Sequence, residues 1–360
     1  MTMSKKVMLM LLVIMLCIPK AFSLPLDLAS GSAWGMADAG LSLDYESDSF
    51  LANPALLGLE KDKETSFLAS LRFQDSLDFS NYTLSPFALR LERPVADWAI
   101  SFISGSLAFS IQNRNSLEDR QQFANASEYT GIRNTLFQFD WATSRSIFSF
   151  GVTGRAVASS ERSLVSIKDD RILLDYFVET TVGRYEAVDD VSSVTFGLGI
   201  LVDYQWFKMG VVSDQLAYGS AEQSLVVSVD SLLKTLDWGF SFSSATYDET
   251  NQLHLLKFQG ALDFVNLGSD IDREVRLGVS AKLQLLPTWS VSLQMGYRET
   301  KPTPSDLLKF SFAQGRQTVA LNVRLDTFKF TLASSWPTAW YTEIPTTEQA
   351  VLLVGATLIL

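Results

Sequence analysis

Apolar and polar residues alternate one for one through long stretches of this 360-residue chain. From Val194 the even positions are Val194, Phe196, Leu198, Ile200, Val202 and Tyr204, with Thr195, Gly197, Gly199 and Asp203 between them. Val275, Leu277, Val279, Ala281, Leu283 and Leu285 alternate with Arg276, Gly278, Ser280, Lys282 and Gln284. A turn at Leu286 to Thr288 then leads into Trp289, Val291, Leu293, Met295 and Tyr297. Val319 to Leu325 turns at Asp326 and Thr327 into Phe328, Phe330 and Leu332, and Leu352 to Leu360 closes the chain on the same pattern. A period of two puts successive side chains on opposite faces of a strand, so these runs specify antiparallel hairpins.

Two architectures satisfy such a pattern: a sandwich that buries its apolar faces, or a barrel that turns them to lipid. Three features favour the barrel. Lys5 and Lys6 precede an apolar run from Val7 to Ile18, and Ala21 to Ser23 follow, which reads as a signal peptide over 1–23. Its 12 apolar residues fall short of the roughly 20 that cross a membrane. Trp289 and Tyr297 are spaced to bracket an apolar band of about 20 Å. The connections are unequal, with tight turns at 286–288 and 326–327 but long polar stretches over 112–128, 159–193 and 334–349. At roughly 20 to 24 residues per strand and connection, residues 65–360 make about 12 to 14 strands, with about 14 expected, starting at Phe67 to Phe73. The expected fold is therefore an all-β transmembrane antiparallel barrel in the outer membrane, with the lipid bilayer as its surroundings. Arg276, Lys282, Gln284, Asn322, Arg324 and Lys329 would face a lumen too wide for side chains alone to fill.

Composition removes most other functions. One Cys and one His leave no zinc or paired-thiol chemistry, so no metal and no cofactor are expected. His254 has no Gly-x-Ser-x-Gly elbow or other visible partners, so no enzyme is expected and no residue is assigned a catalytic role. The surplus of acids, 40 against 29 bases, sets nucleic acid aside.

Residues 24–64 do not alternate. Ser30 to Gly40 is a run of small residues around Trp34 and Met36, followed by Asp44, Glu46 and Asp48 and then Phe50 to Ala55. An irregular segment ahead of the first strand is able to fold back into the lumen, where its backbone meets polar groups rather than lipid; the alternative is a peripheral tail.

The string GSAWGMADAG, the acidic residues after it and FLANPALLGL resemble the N-terminal pattern of the FadL-like outer-membrane transport proteins. ALDFVNLGSDIDREVRLGVSAKLQLLPTWSVSLQMGY is similar to that family's Asp-containing strand, loop and hairpin. Within the superfamily the chain looks closest to uncharacterised spirochaete outer-membrane proteins and the PorV-like branch. The resemblance implies a luminal hatch built on Trp34, Gly35, Asp38, Gly40, Asn53, Pro54 and Ala55, and uptake of long-chain fatty acids or other hydrophobic molecules. It also implies assembly by the barrel-assembly machinery, although Leu360 replaces the usual terminal aromatic. Ala37 and Asp38 stand where glycine and a small residue are commoner in the family. Independently, two long connections carry apolar residues, Leu173, Tyr176 and Phe177 in one and Leu232 and Leu236 in the other. They are candidates for an outer capture groove for a hydrophobic ligand, or else barrel strands extended beyond the membrane. Arg276, Lys282 and Arg324 are the candidate luminal cations. A PorV-like scaffold or shuttle, a surface-exposed structural protein and a general porin are the competing functions.

Overall fold

The computed structural model describes residues 36–43, 51–59, 65–74, 97–123, 126–173, 176–204, 206–220, 225–248, 253–269, 273–301, 303, 306–310, 312, 315–338 and 351–360; the side chains of 115–133, 159–192, 220 and 245–255 fall outside that description. The leader expected over 1–23 lies outside the described residues.

The strands are β1 (Thr65–Gln74), β2 (Asp97–Ser104), β3 (Leu107–Phe123), β4 (Ala126–Arg145), β5 (Phe148–Leu173), β6 (Tyr176–Tyr204) and β7 (Phe207–Ser220). After a two-residue β8 (Val226–Val227) and the short helix α1 (Val229–Lys234) come β9 (Leu236–Asp248), β10 (Leu253–Val265), β11 (Glu274–Leu286) and β12 (Trp289–Thr300). The last three are β13 (Gly315–Leu325), β14 (Phe328–Pro337) and β15 (Val351–Ile359). Neighbours in sequence pair antiparallel, β1 pairs with β15, and β7 joins β6 on one side to β8 and β9 on the other. The sheet thus closes on itself as a barrel of fourteen long strands. Leu360 completes the seam, its N–H donating to the Thr65 carbonyl at 2.7 Å and its own carbonyl accepting from Thr65 N at 3.3 Å.

The polarity of the two faces decides between barrel and sandwich. On β14 the inward residues Lys329, Thr331, Ala333 and Ser335 are buried, while Phe328, Phe330 and Leu332 are exposed. On β2 Asp97 and Ser101 are buried and Ile100 and Phe102 exposed. A water-soluble sheet would do the reverse, so the outer surface is built for hydrocarbon. Strands β1, β2 and β12 to β15 have 8 to 12 residues, close to the 9 to 11 that cross a bilayer at a tilt. Exposed aromatics crowd the rim of tight turns: Phe148, Tyr204, Trp206, Trp289 and Phe328. Gly105, Ser146 and Asp326 adopt positive φ in three of those turns, the backbone that short hairpin loops require.

Two sequence expectations change. The polar stretches 112–128 and 159–193 are not loops over most of their length but the continuation of β3 to β6, which reach 17, 20, 26 and 29 residues. Antiparallel pairing satisfies their backbone groups wherever they lie, and above the membrane neither face needs to be apolar, so the alternation that marks a strand fades while the strand continues. Tyr297 does not form a second aromatic girdle. It shares the outward parity of Leu293 and Met295 but is only 6% exposed, because Phe312 lies over it at 4.9 Å between ring centroids and its hydroxyl donates to Glu299 at 2.8 Å.

Leu293 faces outward midway along β12 and is 50% exposed, whereas its neighbour Gln294 is buried in the lumen. Leu293→Lys is expected to lower the stability of the folded barrel by about 2–4 kcal/mol and Gln294→Lys by much less, read from the folded fraction by heat-modifiable gel mobility.

Candidate functional site: the plug and its seat

Two N-terminal segments, 36–43 and 51–59, lie inside the barrel, with every residue of the first buried. Their contacts run around the wall. Met36, Ala39 and Leu43 pack with Ala261 of β10; Ala55 and Leu56 pack on Leu201 of β6; Leu57 and Leu51 pack on Ile103, Ala108 and Ala142 of β2 to β4. Small wall residues receive larger plug residues, and each fully buried leucine or methionine contributes about 1.5–3 kcal/mol.

The closest approaches are made to glycine. A Cβ on Gly151 of β5 would stand 2.4 Å from the Pro54 and Ala55 backbone, and one on Gly199 of β6 would stand 2.2 Å from the Asn53 Oδ1. Gly210 of β7 meets the Leu41 carbonyl at 2.3 Å in the same sense, Gly278 of β11 meets Met36 at 2.5 Å, and Gly296 of β12 meets the Met36 backbone at 2.2 Å. Gly151 is opposite Gly199, Gly210 opposite Gly239, and Gly278 opposite Gly296, so the glycines form a belt at one level of the lumen. A side chain at any of these positions would hold the plug off the wall.

Polar groups fix the plug's register on that belt. The Asp263 carboxylate of β10, wholly buried, accepts from Gly40 N at 2.5 Å and Leu41 N at 2.9 Å through one oxygen. Gly239, opposite on β9, leaves the room this carboxylate needs, since a Cβ there would lie 2.4 Å from its second oxygen. Two successive N–H groups converging on an anion form a small backbone nest. Ala37 N donates to the Thr318 hydroxyl at 2.9 Å, Ser241 Oγ to the Ser42 carbonyl at 3.0 Å, and Ser149 Oγ to the Ala55 carbonyl at 2.5 Å. Asn53 ties the two segments together: its Nδ2 donates to the Leu41 carbonyl at 2.8 Å, and its Oδ1 accepts from Ala55 N at 2.9 Å as the cap of the 3-10 turn Pro54–Gly58. Arg298 of β12 meets Asp38 at 3.3 Å.

Asp38, Gly40, Asn53, Pro54 and Ala55 thus lie together in the plug, while Trp34 and Gly35 are outside the described residues. Ala37 and Asp38 have φ of 55° and 63°, so the turn does demand the conformation glycine adopts most easily, and this chain uses two ordinary residues there. Arg276 faces inward beside Asp263 and pairs with Glu274 at 2.8 Å. Lys282 and Arg324 share its inward parity, lower on the wall. The residues grouped as an outer groove are far apart. Leu173 pairs with Tyr176, and Ile172 with Phe177, at the tip of the β5–β6 hairpin, whose side chains are not described. Leu232 and Leu236 sit instead beside Ser213, whose Oγ donates to the Leu232 carbonyl at 3.3 Å and which pairs with Leu236. At about 3.3 Å per residue, the tip is roughly 50 Å along β6 from Ser193. The resemblance marked the Asp-containing strand that carries Asp263 without giving that residue a role, and the glycine belt has as its local signal glycine on the inward parity of several strands.

The lumen around the plug is polar and paired. Arg155 meets Asp214 at 2.5 Å and donates to Gln138, which donates to Asp140 at 2.9 Å; Arg72 meets Asp97 at 2.6 Å. Among the described residues no three His, Cys, Asp or Glu side chains gather as a metal site.

Gly151→Val and Gly296→Val are expected to unseat the plug, seen as raised conductance in planar bilayers and new protease cleavage before Thr65. Asp263→Ala, losing two bonds worth roughly 1.5–3 kcal/mol each, should do so more weakly. Ala37→Gly, which relieves the positive φ, should raise unfolding stability by up to about 1 kcal/mol without raising conductance.

No protein-family model matches the sequence, and no curated protein matches it. Solved structures do. The CymD monoaromatic hydrocarbon channel aligns with a TM-score of 0.55 at 12% identity over 94% of this chain and 99% of its own. The Ralstonia pickettii toluene transporter TbuX aligns at 0.54 and 11% identity over 93% and 99%. The P. putida toluene transporter TodX aligns at 0.50 and 11% identity over 92% and 99%. At these identities the likeness is one of fold: this chain shares the closed β-barrel fold of the CymD channel and of the TbuX and TodX transporters.

Proposed function

We propose that the chain is an outer-membrane channel for hydrophobic small molecules, long-chain fatty acids among them, with residues 24–64 as a hatch that must shift for passage. The observation that carries this reading is the plug seated across the lumen on the glycine belt. A porin for bulk solutes gains nothing from a stopper held by Asp263, Asn53 and Thr318. A backbone-to-wall fit maintained by glycines is also a fit that small displacements disrupt. The fold shared with two toluene transporters and a monoaromatic hydrocarbon channel supports an apolar cargo and an outer-membrane address.

At the outer end, capture of ligand falls to Leu232 and the exposed Val229 and Leu233 of α1, with Leu236 and the exposed Leu225 on either side of it. Below Ser213, β7 pairs with β9, and above it with β8, so this apolar cluster fills a change of partner in the wall. Leu173, Tyr176 and Phe177 belong to a hairpin that projects far beyond the membrane. That projection favours a second reading, a scaffold or surface-exposed protein of the PorV-like kind, in which β3 to β6 present an interaction blade.

Proteoliposomes separate the two. A channel takes up a fluorescent fatty acid faster than protein-free liposomes, and more slowly after Leu232→Asp and Leu236→Asp. Uptake no faster than in empty liposomes, with a surface protein retained on the immobilised barrel, favours the scaffold, and a large steady conductance favours an open porin.

A further inference from the structure

The connection from β12 to β13 turns back over the outside of the barrel. Along β12, Leu293, Met295, Tyr297 and Glu299 share the outward parity, and Lys301 follows on the same parity just past the strand. Leu293 and Met295 are exposed, whereas Tyr297, Glu299 and Lys301 are buried, as is Val275, which stands opposite Glu299. Over Tyr297 and Lys301 lies the connection itself. The Phe312 ring is 4.9 Å from that of Tyr297, the Phe310 ring is 5.7 Å from that of Phe312, and Lys301 Nζ sits 5.3 Å from the centre of the Phe310 ring. Lys301 Nζ also meets Glu299 at 3.1 Å and donates to the Lys309 carbonyl at 2.5 Å.

The buried ion pair fixes the height of this flap. A lysine and a glutamate turned outward are tolerated only where the wall no longer faces hydrocarbon, because charge is expensive in that medium. The apolar band on β12 therefore ends between Met295 and Glu299, at the end of the strand away from the tight turns, which is the cell-exterior side of a bacterial barrel. The flap stands at that boundary, yet its own outer surface is apolar: Leu308 is 72% exposed and Phe312 56%. The surface is also preformed. Asp306 N–H donates to the Thr303 carbonyl at 3.1 Å and Lys309 N–H to the Asp306 carbonyl at 2.9 Å, while the Asp306 carboxylate accepts from the Thr303 hydroxyl at 2.6 Å and from the Lys309 ammonium at 2.8 Å. Phe312 has a φ of 52°, which a bulky side chain adopts at a cost, and ring contacts with Tyr297 and Phe310 hold it there. An aromatic ring kept half exposed by strained backbone is placed for contact with something other than water.

We infer that Leu308 and Phe312 make this flap an interfacial foot, which docks on the outer leaflet of the surrounding membrane at the boundary between head groups and acyl chains. The occupant is lipid because the patch continues the hydrocarbon-facing strip of β12: Met295 is two residues from Tyr297, over which Phe312 lies. Apolar side chains backed by a polar, hydrogen-bonded turn are what that layer takes up. On this strand the foot supplies the aromatic contact that Tyr297, being covered, does not. The inference goes beyond the uptake reading and does not depend on it.

Cys17 is the only cysteine in the chain, so with Cys17→Ser a single thiol is placed by Leu308→Cys, by Leu293→Cys as the hydrocarbon reference, or by Asp230→Cys as the water reference. Each protein carries a nitrobenzoxadiazole label and is reconstituted into phosphatidylcholine vesicles brominated either near the head group or near the chain end, with iodide on both sides as the aqueous quencher. The Leu308 label is expected to be quenched more by shallow than by deep bromine, and about threefold less by iodide than the Asp230 label. Phe312→Cys, read in the same way, takes its place if heat-modifiable mobility shows that Leu308→Cys does not fold. Iodide quenching equal to that at Asp230 without bromine quenching overturns the proposal, as does stronger quenching by deep than by shallow bromine. A label shielded from both quenchers, with crosslinking between Leu308→Cys chains, overturns it as well and gives the surface to a second copy of the protein.

Discussion

A closed antiparallel ladder is what everything else in this molecule depends on. In hydrocarbon no water is available to an unpaired N–H or C=O, so a spanning sheet has to leave no edge. Here β1 closes on β15 and β6 on β7, and the terminal Leu360 and Thr65 exchange the last two bonds of the seam. Closure fixes the outer face as apolar. By the same pleat it delivers every second residue to the lumen, which explains how polar groups such as Gln112, Asp140, Asp263 and Lys329 come to be buried.

Closure also creates a problem of volume. Fourteen strands enclose a space their own side chains do not fill, and the chain fills it with backbone. The plug approaches the wall where the wall has no side chain, and its exposed peptide groups find Asp263, Thr318, Ser241, Ser149 and Asn53. The seat thus combines polar anchors with apolar contacts on Ala261, Leu201 and Ile103. The interface is held by a small set of hydrogen bonds between plug and wall.

Several of these features were readable in the residues. The runs at 275–285, 289–297, 319–332 and 352–360 are strands on the observed parity, and the turns at 286–288 and 326–327 are where they were expected. Arg276, Asn322 and Lys329 do face inward. The upper parts of β3 to β6 escaped because alternation reports the membrane rather than the strand. Tyr297 misled because a residue of the right type and parity was covered by Phe312, a contact across a connection with no periodicity. The apolar residues at 173–177 and 232–236 looked like one cluster because the sequence does not state how far a hairpin rises.

What the sequence by itself determined is the two-faced strand, the tight hairpins and hence the barrel, because each depends on neighbours a few residues apart. Which glycines face one another beneath the plug, and that Asp263 stands under Gly40 and Leu41, were decided only by the closed fold. Those alignments depend on the stagger of every hairpin around the ring, and a shift of two residues in one of them would leave its alternation intact while moving the plug off its seat.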